Sequence, residues 1–145
     1  MIREINENDF YALSELYTHL HGNKPIPDNG FSREIFSSIL NDENHHLIVA
    51  ECDNKIVSSC VCVIIPNLTH NQQPYALIEN VVTMKAYRKR GLASQCLSRS
   101  KEIAIKNNCY KIMLLTGSRK RSTHRFYRNN GYNRFEKTGY IQRLK

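Results

Sequence analysis

The stretch that decides the fold is ENVVTMKAYRKRGLAS, residues 79–94. Its opening, through Thr83, is β-branched and predicts a strand. After Gly91 the spacing turns helical: Leu92, Ala93, Cys96, Leu97, Ser100, Ile103 and Ala104 place small and apolar groups on one face as far as about Asn107. Between the two lies a basic turn, Arg88-Lys89-Arg90. A helix N-terminus presents unpaired backbone N–H groups and the positive end of a dipole, which suits a phosphate. Gly91 lets the backbone close on such an anion, and three cationic side chains add charge around it. Strand, turn and helix together predict a pyrophosphate cradle.

Upstream, residues 1–5 read as a short strand. A helix follows from about Asn8, where Phe10, Leu13, Leu16, Tyr17 and Leu20 recur at helical spacing, with Asn8 or Asp9 as its expected cap. His19 and His21 stand two apart, so they point to different helix faces and make a poor metal pair. Residues 22–30, with Pro25 and Pro27, predict a loop that either lips a substrate site or simply connects. Phe31, Ile35, Phe36, Ile39 and Leu40 mark a second helix ending near Asn41. His45 and His46, expected to face solvent, precede a strand at 47–51. The Asp53-Asn54 turn joins that strand in a hairpin to one at 56–65, where Cys60 and Cys62 read as small core hydrophobes. After a loop at 66–74 comes the strand 75–83. Alternation puts Glu79, Val81 and Thr83 on one of its faces and Asn80, Val82 and Met84 on the other.

Downstream, KIMLLT at 111–116 predicts a strand covered on both faces. Ser122 is the expected cap of a last helix, and Gly131 supplies its left-handed exit. Residues 134–144 have β character around a Thr138-Gly139 turn. The predicted order is β-α-α-β-β-β-α-β-α-β, with room for a seventh strand, and the class is α/β.

With 145 residues, 41% of them hydrophobic, the chain can build one domain around a proper core, so 1–145 is expected to be a single domain. Its longest apolar run, residues 60–65, is too short to span a membrane, and no partner membrane is expected. Arg3, Glu4, Glu7 and Asp9 break any signal-like run at the start. Five cysteines without framework spacing fit reduced thiols and a cytoplasmic location. The net charge of +8 conceals a division. Residues 1–80 carry 4 Lys/Arg against 11 Asp/Glu, a net −7, while residues 81–145 carry 17 against 2, a net +15. The second half attracts anions. There is no C-x-x-C, H-E-x-x-H or G-x-S-x-G, so metal-site and serine-hydrolase readings lack support and no metal is expected.

Arg88-x-x-Gly91-x-Ala93 behind Val81-Val82-Thr83 resembles the acyl-CoA signature Q/R-x-x-G-x-G/A of the GNAT superfamily of N-acetyltransferases. A second stretch, Phe126-Tyr127 followed by Gly131-Tyr132, is similar to that family's late helix. The resemblance covers essentially the whole chain and is sharpest from Ile78 to Tyr132. It implies a mixed sheet of six to seven strands, flanked by about four helices and splayed between the fourth and fifth strands to admit acetyl-CoA. It implies acetyl transfer to the primary amine of a small molecule by direct attack within a ternary complex. A homodimer is implied by analogy alone.

The same resemblance assigns residues. Val81, Val82 and Thr83 would offer main-chain groups to the pantetheine arm and to an oxyanion. Arg88, Lys89, Arg90, Gly91, Leu92, Ala93 and Ser94 would hold the pyrophosphate. Thr123 stands where relatives place an asparagine touching the coenzyme, and Phe126 would also contact it. Tyr127 would protonate the departing thiolate, the other reading being a core tyrosine with its hydroxyl at the rim. Glu79 is placed like a glutamate of glucosamine-6-phosphate N-acetyltransferases, which have E-D-I-A-V where this chain has E-N-V-V-T. It would deprotonate the incoming ammonium or bind it as a counter-ion, the other reading being a surface or structural carboxylate. Asn80, in place of the second acid, argues against a sugar-phosphate acceptor. The run Arg119-Lys120-Arg121 meets the coenzyme's ribose phosphate, an anionic substrate or only water, and His124 reads as a rim histidine. A basic nucleic-acid-binding domain built from residues 85–145 and a non-catalytic acyl-CoA sensor are the rival readings. No nucleic-acid motif supports the former, so no nucleic-acid partner is expected. Residues 17–31, 66–75 and 134–144 are the expected acceptor determinants, and none carries a decodable motif.

Overall fold

The computed structural model of the chain describes residues 1–20 and 24–145. Five strands lie side by side in chain order: β1 (Ile2–Glu4), β2 (His45–Cys52), β3 (Lys55–Ile65), β4 (Tyr75–Thr83) and β5 (Ile112–Leu114). The first four pair antiparallel and β5 joins β4 in parallel, so the sheet is mixed. Helices α1 (Phe10–Tyr17) and α2 (Gly30–Asn41) cover one face, while α3 (Leu92–Lys106) and α4 (Arg121–Asn129) cover the other. Among the described residues no helix is long and apolar enough to cross a membrane.

The middle strands are apolar on both sides because both sides are covered. On the α1 face, Leu47, Val49, Val57, Val61 and Val82 meet Phe10, Leu13, Leu16 and Phe36. On the α3 face, Ile48, Cys60, Cys62, Ala76 and Ile78 meet Cys96, Leu97, Ile103 and Ala104. Burying a side chain such as Leu16, Ile48 or Ile78 contributes roughly 1.5–3 kcal/mol. Small groups on β3 let α3 come close. Cys60 Sγ lies 3.2 Å from Ser100 Oγ, which donates to Cys96 O at 3.1 Å. The hairpin turn behaves as its residues dictate: Asp53 and Asn54 both take positive φ, 50° and 59°.

Several expectations change. Asn6, not Asn8 or Asp9, caps the first helical turn. Its side chain accepts from Asn8 N at 3.0 Å, and Asp9 accepts from Asn6 N at 2.8 Å, closing a capping box. Asp9 is occupied otherwise, taking two bonds from Arg3 at 2.6 and 2.9 Å. That guanidinium holds the Asp9 carboxyl below its usual range. His46 is half-buried rather than solvent-facing, because it lies in β2 itself with Nδ1 3.2 Å from Glu4. Lys120 replaces Ser122 at the start of α4 and carries no side-chain cap; Ser118 Oγ accepts from its N–H at 3.3 Å. His21 and part of the expected loop at 22–30 lie outside the described residues.

Among the described residues the sheet has five strands where six or seven were expected. Residues 134–144 add none, and the strand expected at 111–116 is trimmed to β5. So short a strand offers its outer neighbour too few backbone groups for a ladder. Gly139 packs instead against the Leu115 side chain. Within the expected loop at 66–74 lies the turn Thr69–Gln72, where His70, Asn71 and Gln72 are all left-handed, at φ 51°, 57° and 58°.

Candidate functional site

β4 meets β5 only through Ala76, Leu77 and Ile78. Beyond Ile78 it is paired with β3 alone, so the edge of residues 79–83 is open where the fourth and fifth strands part. This is the expected splay. The open half also contains a bulge. Ser59 faces Val82 and Val61 faces Glu79, so Asn80 and Val81 together oppose Cys60, and Asn80 takes φ 51°. One extra residue reverses side-chain parity. Glu79 therefore shares the α1 face with Val61, Val82 and Met84, while Val81 and Thr83 turn to the α3 face. The simple alternation that grouped Glu79 with Val81 and Thr83 fails for this reason.

Asn tolerates the left-handed region better than the β-branched residues around it. Tyr17, reaching across from α1, contacts Asn80 and Ser59, and burial pushes its phenol up to about 12 against the opposing pull of Asn80. Ser59 Oγ, fully buried nearby, lacks a partner of good geometry among the described residues.

At the end of β4 the basic turn leads into α3. Gly91 holds φ 76° at the N-cap, and Lys89 is also left-handed at 62°. Space does not demand the glycine, since a Cβ there would meet nothing within 4 Å; the conformation does. Gln95 N donates to Gly91 O at 3.0 Å, and the N–H groups of 89–94 find no acceptor among the described residues. Arg88 Nε donates to Thr83 O at 3.1 Å, fastening the turn to the strand. Arg90 lies over the Tyr87 ring at 5.0 Å and donates to Ala86 O. Val82 is buried, so only its backbone can serve a ligand, and its carbonyl already accepts from Ser58 Oγ at 2.9 Å.

The last helix closes the α3 side. Phe126, Tyr127 and Tyr132 pack against the core beneath, with ring centroids 5.0 Å apart for the first pair and 6.1 Å for the second. Burial raises the Tyr127 phenol above its ordinary value, so it holds its proton at neutral pH. Thr123 Oγ1 accepts from Ser118 Oγ at 3.0 Å. Asn130 Nδ2 donates to Ser94 Oγ at 3.1 Å and to Phe126 O at 2.8 Å, tying the end of α4 to the first turn of α3. Glu79 is exposed and makes no ion pair among the described residues.

The structure thus gathers the open strand, the basic turn and Tyr127 around the start of α3, and leaves Glu79 across the sheet from Tyr127. Sequence reasoning missed Tyr17, the bulge and the Asn130–Ser94 link. An asparagine inside a β-branched run was the one available signal for the bulge.

A model described as the Acetyltransferase (GNAT) family matches residues 7–132. A structure named as an acetyltransferase of Agrobacterium tumefaciens str. C58 is 35% identical, with a TM-score of 0.93 and 99% of each chain covered. Glucosamine-6-phosphate N-acetyltransferase of Arabidopsis thaliana shares the fold at 22% identity and TM-score 0.81, over 100% of this chain and 96% of the other. So does an aminoglycoside acetyltransferase from an uncultured soil metagenomic sample, at 20% identity and TM-score 0.82 over the same shares. The splay beside a bare helix N-terminus has its explanation in these matches: the chain belongs to the GNAT family of acetyltransferases.

Proposed function

We propose that the protein moves an acetyl group from acetyl-CoA to the primary amine of a small molecule. One observation carries this: the open half of β4 runs straight into a helix N-terminus whose amide hydrogens are unclaimed. A thioester on an amide-bearing arm with a pyrophosphate behind it matches that sequence of groups. Val81 and Thr83 present backbone to the arm, and residues 88–94 take the phosphates. Six N–H groups without an acceptor among the described residues, a left-handed glycine and three cations suit an anion.

The two side-chain candidates lie on opposite faces, which suits direct attack through an open slit. Glu79, on the α1 face, accepts a proton from the ammonium, and the free amine attacks the thioester carbonyl. The C–N bond forms, a strand N–H bears the oxyanion, the C–S bond breaks, and Tyr127 on the α3 face gives its proton to the departing thiolate, its phenol being restored through water by the second proton that the nitrogen sheds. Holding both reactants in one cleft supplies much of the rate. The acceptor side belongs to the acidic half of the chain, 11 Asp/Glu against 4 Lys/Arg over residues 1–80, which favours a cationic small amine over an acidic one. Five free thiols suit a reducing compartment such as the cytoplasm.

The test is calorimetric titration of acetyl-CoA, followed by thiol release across a panel of polyamines, amino sugars and lysyl peptides. Heat on titration together with turnover on a small amine supports the reading. Absence of coenzyme binding overturns it, and turnover on peptides alone replaces the acceptor class.

A further inference from the structure

We propose that the outer face of α4 carries a second anion site, separate from the coenzyme turn, for a small ligand bearing several phosphates. A cavity of about 390 Å³ lies there, lined by Arg119, Arg121, His124, Arg125, Arg128 and Arg134. None of these cations is paired with a carboxylate: the ion pairs among the described residues involve Arg3, Arg33, His46 and Arg99. Residues 81–145 contain only two acids, Glu102 and Glu136. Arg121, Arg125 and Arg128 follow helical spacing, so the helix stacks like charges along one face, an arrangement that opposes its own stability. Nothing in the protein's packing requires it, since the opposite face, with Phe126 and Tyr127, does the burying.

Guanidinium forks match phosphate oxygens two at a time. Five of them around one concavity exceed what a single phosphate can neutralise, which points to a di- or triphosphate group. The cavity volume is within the range of small-ligand sites. No Phe, Tyr or Trp lines it, so it lacks the large ring platforms on which single-stranded nucleic acid stacks. Its separation from the coenzyme turn follows from the helix. The cavity is lined from the loop at Arg119, the outward side chains of the helix and Arg134 beyond it, and shares no lining residue with the turn at 88–94.

The probe is inorganic tripolyphosphate, titrated by calorimetry into the full chain, free and saturated with acetyl-CoA. We expect a site that persists in the saturated protein with affinity within threefold of its value in the free protein. Arg125→Gln combined with Arg128→Gln should weaken it at least tenfold, with the melting temperature held and acetyl-CoA affinity changed less than twofold. Displacement of tripolyphosphate by acetyl-CoA, with both affinities falling together in the double variant, would make the cavity part of the coenzyme's own site and sink the proposal. So would no tripolyphosphate heat beyond the coenzyme turn, or a single-stranded RNA oligomer binding the same arginines a hundredfold more tightly. If acetyl-CoA itself fails to bind, the titration of the free protein still reads this site, and the double variant decides it.

Discussion

Between Ala76 and Ile78, β4 is bonded to β3 on one edge and β5 on the other, and both residues are buried to within 2% of full coverage. Between Glu79 and Thr83 the same strand is bonded to β3 alone, carries a left-handed Asn80, and exposes Glu79 and Asn80. Backbone groups left open on an edge need water or a ligand to satisfy them. The first half of the strand therefore holds the fold together, and the second half is held available.

Substitutions at four positions test that division. The largest stability effect should come from Ile78→Ala, in the doubly paired half: about 3 kcal/mol, or a melting temperature lower by roughly 10 °C. Thermal unfolding checks it, and a loss under about 1 kcal/mol would mean that stability does not reside there. Next, Tyr127→Phe should lower kcat about 100-fold, equivalent to about 2.7 kcal/mol, with melting temperature and coenzyme affinity unchanged. Full turnover in that variant would leave the open half as a binding slit only.

Asn80→Val should cost about 1–2 kcal/mol, because a β-branched residue resists positive φ, and activity should fall as the bulge slips. Asn80→Gly should be tolerated in both respects, and equal damage from both variants would show that the side chain, not the conformation, matters. The smallest effect concerns Tyr17 and is absent at neutral pH. Its phenol is raised by burial to about 12, so the folded state favours the protonated form. Stability is therefore undiminished below the unfolded value near 10 and falls as pH climbs towards 12, the loss amounting to about 1 kcal/mol by pH 11. Tyr17→Phe should show a shallower loss of stability than the parent in alkaline urea titrations, and identical slopes would contradict the burial.

The site was legible where its chemistry is local. Gly91 and the cations before it lie within one turn of chain, and Phe126 and Tyr127 lie together on one helix. Glu79 was identifiable as a candidate, but its face was not. Strict alternation assumes that each residue opposes one partner, and Asn80 with Val81 oppose a single Cys60. Residues 134–144 misled in the opposite direction: their β character is real as composition, yet no adequate edge awaits them beyond the three residues of β5.

By itself, the sequence determined the elements and their punctuation: the apolar period of α1 and α3, the Asp53-Asn54 turn, the left-handed entry at Gly91 and the left-handed exit at Gly131. Each depends on neighbours a few residues away. The tertiary structure alone decided where β4 parts from β5, which face Glu79 takes, that Asn130 reaches Ser94, and that arginines from Arg119 to Arg134 surround one cavity. Register, strand parting and convergence are set by contacts between segments far apart in the chain, and no local pattern encodes them.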